Sequence, residues 1–197
     1  MTDSIPKINP KQAILLVMDY QPAILDHVDN ADLLLARMAE TIKIARQGGL
    51  PVGYVRVAFE EADYAALPQS NKTFKAVADG RLFPSEAPET QVHPALTPKS
   101  GDIVVRKVRV GAFSTTDLHR QLRDREIDTL ILAGIATSGV VLSTLRDAAD
   151  RDYRLYVLED ACADRDPEVH AVLMQKVFPR QAYVMGAADL TNLLEAR

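Results

Sequence analysis

Two apolar runs constrain the fold of this chain more than any other feature. AILLVMD (residues 13–19) and TLILAG (residues 129–134) are apolar at nearly every position. A strand with one wet face alternates apolar and polar residues, so runs without alternation suit strands buried on both faces of a sheet. Four further strands are predicted, at PVGYVRVAF (51–59), DIVVRK (102–107), YRLYVLED (153–160) and QAYVM (181–185). Between them lie segments with helical spacing. ADLLLARMAETIKIARQGG (31–49) ends in two glycines, a helix stop signal. TDLHRQLRDREI (116–127), VVLSTLRDAADRD (140–152), DPEVHAVLMQKVF (166–178) and AADLTNLLEAR (187–197) complete the set. Asp166-Pro167 fits an N-cap followed by proline at the first helical position. Strands alternating with helices predict an α/β fold, a mostly parallel sheet with helices on both faces.

The 197 residues suit one domain spanning 1–197. The exception to the alternation is residues 60–101, rich in Pro, Ser and Glu. A connection of this length suits a lid or an interface insertion, with NKTFKAVADG (71–80) as a short helix inside it. The net charge of −4 argues against a nucleic-acid partner, because phosphate binding favours a basic surface. The single cysteine, Cys162, allows no intrachain disulfide. The N-terminal segment MTDSIPKINPKQ has no apolar core of a signal peptide, and no run approaches the roughly 20 residues of a membrane span. The expectation is a cytoplasmic protein with a small-molecule partner and no membrane partner.

In open α/β sheets, ligands bind beyond the carboxyl ends of the strands. Asp19 follows the first strand, Lys107 ends the third, GIATSGVV follows the fourth, and Glu159, Asp160 and Cys162 follow the fifth. Asp19 reads either as a turn-capping residue or as a proton carrier. Lys107 reads as an ordinary exposed lysine unless it meets Asp19, where it would tune the carboxyl. The turn GIATSG offers backbone N–H groups at a helix start, which is an anion cradle, or simply a tight connection capped by Thr137 or Ser138. Gly134 and Gly139 have P-loop spacing, but Val-Val follows where Lys and Ser/Thr belong. His27, His93, His119 and His170 form no metal-binding pattern, so no metal is expected, and His119 and His170 read as surface residues. Cys162 reads as simply buried.

ILLVMDYQ, VVRKVRVGAFSTTDL and DTLILAGIATSGVVLSTLRDAADRDYRLYVLEDACAD together resemble the isochorismatase-like hydrolases, the cysteine hydrolase superfamily. The resemblance runs from about residue 13 to 190. It implies a three-layer α/β/α fold with a six-stranded sheet of order 3-2-1-4-5-6, a homodimer or homotetramer, and no cofactor. It implies a catalytic set of Asp19, Lys107 and a cysteine in the turn after the fourth strand. That cysteine position holds Val140 in this chain. The resemblance places Gln21, Phe113, Ala136, Thr137 and Gly139 on the substrate side, a cis peptide before Ala136, and an oxyanion hole at the N–H groups of Ala136 and Val140. Valine cannot attack a carbonyl, so amide hydrolysis through a thioester is not expected. The nicotinamidase branch is set aside because VAFEEADY lacks its Asp-x-His metal pattern. Isochorismatases resemble this chain in using an aspartate without a catalytic cysteine. The expected activity is then acid-catalysed hydrolysis of an enol ether by Asp19, with Lys107 orienting it and Arg106 and Arg109 either attracting an anionic substrate or serving as surface charge. The alternative is a silenced member that binds a small molecule or acts as a scaffold, with an apolar pocket around Val140 and Phe113.

Overall fold

The computed structural model describes residues 5–194. In chain order the main elements are β1 (Ala13–Met18), α1 (Pro22–Leu25), α2 (Ala31–Gln47), β2 (Val52–Val57), α3 (Glu61–Ala65), α4 (Lys72–Gly80) and β3 (Ile103–Lys107). They continue with α5 (Leu118–Arg123), β4 (Thr129–Ile135), α6 (Leu142–Ala149), β5 (Arg154–Ala163), α7 (Pro167–Val172), β6 (Tyr183–Met185) and α8 (Leu190–Leu193). The six strands form one sheet in the order β3-β2-β1-β4-β5-β6. Every neighbouring pair is parallel, so the sheet is wholly rather than mostly parallel.

The unbroken apolar character of β1 has a direct cause. Ala13, Leu15 and Val17 join one core with Leu34, Leu35, Met38 and Ile42 of α2. Ile14, Leu16 and Met18 join a second core with Leu118 and Leu122 of α5, Leu145 of α6 and Phe178. Each face of the strand is covered, so each position must be apolar. All seven residues of β4 are buried for the same reason. In register, Met18 lies opposite Gly134. A Cβ on Gly134 would lie 3.1 Å from the Met18 carbonyl oxygen and 3.1 Å from Val141 Cγ2. A side chain here would press on the Met18 backbone and on Val141, so glycine suits this close approach of the turn to β1.

Several predicted boundaries move. The helix expected over 116–127 is reduced to α5 because Glu126 takes a left-handed conformation (φ 56°) and the chain turns into β4. The helix expected over 140–152 begins as a π-helical turn, Thr137–Val141, continues as α6, and ends before the left-handed Asp152. α7 starts as predicted: the Asp166 side chain accepts the Glu168 and Val169 N–H groups at 2.9 and 3.2 Å, with Pro167 at the first position. It widens into a second π-helical turn, Leu173–Val177. The closing segment is a 3-10 turn, Ala187–Asp189, followed by α8; residues 195–197 of the predicted helix lie outside the described residues.

Residues 60–101 are not a bare loop. α3 and α4 pack around a small separate core of Phe59, Tyr64, Leu67 and Phe74, with the Phe59 and Tyr64 rings stacked at 5.5 Å. The Asn71 side chain caps α4 by accepting the Phe74 N–H, as the predicted helix over 71–80 requires. The segment returns to the sheet where Phe59 donates to the Phe83 carbonyl and accepts from the Ser85 N–H, both at 2.8 Å.

Candidate active site

Asp19 is the first residue beyond β1 and takes a left-handed conformation, φ 59°. Asp tolerates this region better than most residues. The turn breaks the in-out alternation of the strand, while the Asp19 N–H still donates to Val55 of β2 at 2.8 Å. Lys107 is the last residue of β3. Its Nζ lies 2.8 Å from Asp19 Oδ2 and donates to the Arg109 carbonyl at 3.2 Å. Both residues are deeply buried, at 4% and 2% exposure. The other carboxyl oxygen, Asp19 Oδ1, is buried without a hydrogen-bond partner among the described residues. Burial pushes the Asp19 carboxyl above its ordinary pKa, and the charge and hydrogen bond of Lys107 pull back without cancelling that rise. A carboxyl so placed favours its protonated form more than a free aspartate does.

The turn after β4 approaches from the neighbouring strand. The Ile135-Ala136 peptide is cis. The N–H groups of Gly139 and Val141 donate to the Ala136 carbonyl at 3.1 and 3.3 Å. Neither Thr137 nor Ser138 caps the turn with its side chain, which corrects that expectation. The Thr137 hydroxyl is fully buried and bonded to His170 Nδ1 at 2.8 Å. The Ser138 N–H donates to Asp164 Oδ2 at 2.7 Å. Val140 is buried in the apolar core with Met18 and Cys162.

A cavity of about 340 Å³ opens beside this turn. Its walls include Ala23 and Ile24 of α1, Phe83 of the 60–101 segment, and Ile135, Ala136 and Ser138. Asp19, Lys107 and Val140 are not among its lining residues.

Other sequence candidates are placed elsewhere. Gln21 is fully buried with its amide committed: Oε1 accepts the Val57 N–H at 2.8 Å, and Nε2 donates to the carbonyls of Val57 and Thr90 at 2.9 and 2.6 Å. It ties β2 to the 60–101 segment. The Phe113 ring stacks on Tyr153 at 6.1 Å and lies under the Arg151 guanidinium at 5.3 Å. Those contacts join it to Tyr153, just before β5, and it shares a core with Met18 and Val140. His119 is half-exposed, and its Nδ1 is bonded to the Tyr153 hydroxyl at 3.0 Å. Arg106 is held by Asp63 at 2.5 Å and Glu60 at 3.3 Å, and Arg109 sits over the Phe74 ring at 5.5 Å. Asp160 accepts the Ala187 N–H and pairs with Arg37. Glu159, Asp160 and Cys162 fall within β5 rather than after it, because the strand runs to Ala163 through a bulge opposite β4. Burial pushes the Cys162 thiol up to about 12, so it holds no appreciable thiolate near neutral pH. Among the described residues, no three His, Cys, Asp or Glu side chains gather to hold a metal ion. No described helix is long and apolar enough to cross a membrane.

The isochorismatase domain model matches residues 13–189. The chain belongs to the isochorismatase family. It is similar to the isochorismatase family protein YecD of Escherichia coli O157:H7, 36% identical over 193 residues, covering 95% of this chain and 99% of that one. It is 33% identical over 209 residues to the ureidoacrylate amidohydrolase RutB of Methylobacterium radiotolerans, covering 95% and 81%. It is 31% identical over 186 residues to the protein named "Probable isochorismatase" from Pseudomonas chlororaphis, covering 93% and 86%.

Within this isochorismatase-family hydrolase, the sequence reading missed two contacts to the turn, those of His170 and Asp164. The strand order holds the signal for both. β5 lies beside β4, so the residues after β5 must meet the turn after β4. His170, four residues after the Asp166 cap, is one helical turn into α7. Without the strand order, nothing local distinguishes it from an exposed histidine.

Proposed function

We propose that this family member hydrolyses an enol ether of the enolpyruvyl type, such as isochorismate, with Asp19 as general acid. The carrying observation is the buried, unpartnered Asp19 Oδ1 beside Lys107 in a chain whose one cysteine is a buried, neutral thiol. Protonated Asp19 donates to the terminal vinyl carbon. The electron pair of the carbon–carbon double bond takes the proton, and positive charge develops on the ether carbon and oxygen. Water adds to that carbon, and the hemiketal collapses to pyruvate and the ring alcohol. Asp19 is left as carboxylate, which the Lys107 ammonium stabilises until the proton from water returns. Val140 stands where the resemblance puts the family cysteine, and it supports a route without a covalent intermediate. The cavity beside the turn is the entrance for the ring, with the 60–101 segment as its lid through Phe83. Access to Asp19 requires that wall to yield.

A second reading is favoured by one observation: Asp19 and Lys107 do not line the cavity. In that reading the protein binds a small molecule without turning it over. The test is pyruvate release from isochorismate and simpler enol ethers by the wild type and Asp19→Asn, with Val140→Cys assayed on small amides. Release that vanishes in Asp19→Asn supports the proposal. No release by the wild type, with amide turnover by Val140→Cys, overturns it in favour of a silenced scaffold.

A further inference from the structure

We infer that His170 is a positioning residue, which, with Asp164, holds the turn after β4 at a fixed distance from Asp19. The inference rests on the proposed reading of the site for its effect on rate, and on the geometry alone for its effect on the turn.

The turn has two kinds of restraint. Gly139 and Val141 bond within it, to the Ala136 carbonyl. Thr137 and Ser138 bond outside it, to one short stretch of chain. The Thr137 hydroxyl is fully buried, where an unmade hydrogen bond costs more than a made one gains. Its partner is His170 Nδ1 at 2.8 Å. The Ser138 N–H meets Asp164 Oδ2 at 2.7 Å, six residues earlier. That stretch is itself fixed, since Asp166 between them caps α7 with two hydrogen bonds and Pro167 presets the helix backbone. The two tethers thus tie consecutive residues of the turn to a rigid helix start. β1, which carries Asp19, lies on the other side of β4. Loosening the tethers from the α7 side, as in His170→Leu, lets the turn move relative to Asp19 without removing any group from either.

A misplaced turn costs rate more than affinity. His170→Leu and Thr137→Val each remove the same hydrogen bond. Each lowers kcat for pyruvate release about 10- to 100-fold, with KM within about threefold of wild type. The double variant is no slower than the slower single one, because both break one contact. His170→Asn, whose amide lies as many bonds from Cβ as Nδ1 does, recovers most of the rate, and so does Thr137→Ser relative to Thr137→Val.

Amide hydrogen exchange gives a readout that needs no turnover. Ser138 and Gly139 exchange about tenfold faster in His170→Leu, and the amides of β1 do not change. Wild-type exchange at Ser138 and Gly139 in both His170→Leu and Thr137→Val overturns the inference. So do conservative variants as slow as the disruptive ones. If the wild type releases no pyruvate, the enol-ether reading falls and the exchange result alone decides the tether. If His170→Leu does not fold, His170→Asn and the Thr137 pair carry the same comparison.

Discussion

Arg106 and Lys107 are neighbours on β3, and each holds an aspartate, yet the two ion pairs have opposite character. Arg106 lies 2.5 Å from Asp63, whose side chain keeps 23% of its surface in water. Burial is the largest single influence on Asp63 and pushes its carboxyl up, but the Glu60 N–H and the Arg106 guanidinium outweigh it and hold the pKa below the ordinary value. Lys107 lies 2.8 Å from Asp19, which is almost dry and has one oxygen with no partner. There burial wins and the pKa rises. A cation at contact distance does not by itself keep an aspartate ionised; hydration and the hydrogen bonds to the remaining lone pairs decide. The contrast separates a half-buried, partly hydrated pair from a dry one in which the carboxyl's pKa is raised.

The largest expected difference is in turnover. Asp19→Asn lowers kcat for pyruvate release by about 10²- to 10⁴-fold, the range of a lost general acid. Asp63→Asn leaves it within about twofold. With Asp19 as the proposed general acid, wild-type kcat is expected to be full at low pH and to fall as pH rises through the raised Asp19 pKa. A rate that rises across that limb breaks the comparison.

Stability should divide the same way. Lys107→Met removes the cation beside Asp19 and costs up to about 3–5 kcal/mol in urea unfolding at the high pH where Asp19 ionises. Arg106→Met costs roughly 0–1 kcal/mol. The Lys107→Met penalty shrinks as pH falls. Folded Asp19 then binds its proton more readily than unfolded Asp19 does, so stability is lost as pH rises between the two pKa values. Equal costs for the two variants would show that the inner pair is not desolvated.

Smaller effects sharpen the boundary of the site. Phe83→Ala raises KM about tenfold with kcat little changed, as expected for a lost apolar wall. Cys162→Ala leaves turnover within about twofold, and iodoacetamide does not inhibit the native protein, since the thiol is buried and neutral. Inhibition by iodoacetamide would point to thiol chemistry.

Much of this was legible before any coordinates. The unbroken apolar runs gave the doubly covered strands, because β1 and β4 each feed two cores. Position at strand ends gave Asp19 and Lys107, and strand pairing through β2 brings them together. Other features depend on long-range contact. The resemblance puts Gln21 and Phe113 on the substrate side; the contacts of the Gln21 amide with Val57 and Thr90, and of the Phe113 ring with Tyr153 and Arg151, are supplied by the fold. Arg106 reads equally as an anion attractor or as surface charge, and only the fold supplies its partner Asp63. Polar and aromatic side chains satisfy whichever partner the fold supplies, and no local pattern encodes that partner. The helices at residues 116–127 and 140–152 were too long because left-handed Glu126 and Asp152 are ordinary helix residues by composition.

Burial beside Lys107 raises the Asp19 pKa above that of a free aspartate. That rise is tested most directly by carbon-13 NMR titration of the aspartate carboxyls, with Asp19 and Asp63 assigned by the loss of one signal in Asp19→Asn and in Asp63→Asn. The Asp19 midpoint is expected above that of a free aspartate and the Asp63 midpoint below it. An Asp19 midpoint at or below the free value would contradict the account, because a carboxyl already ionised has no proton to give.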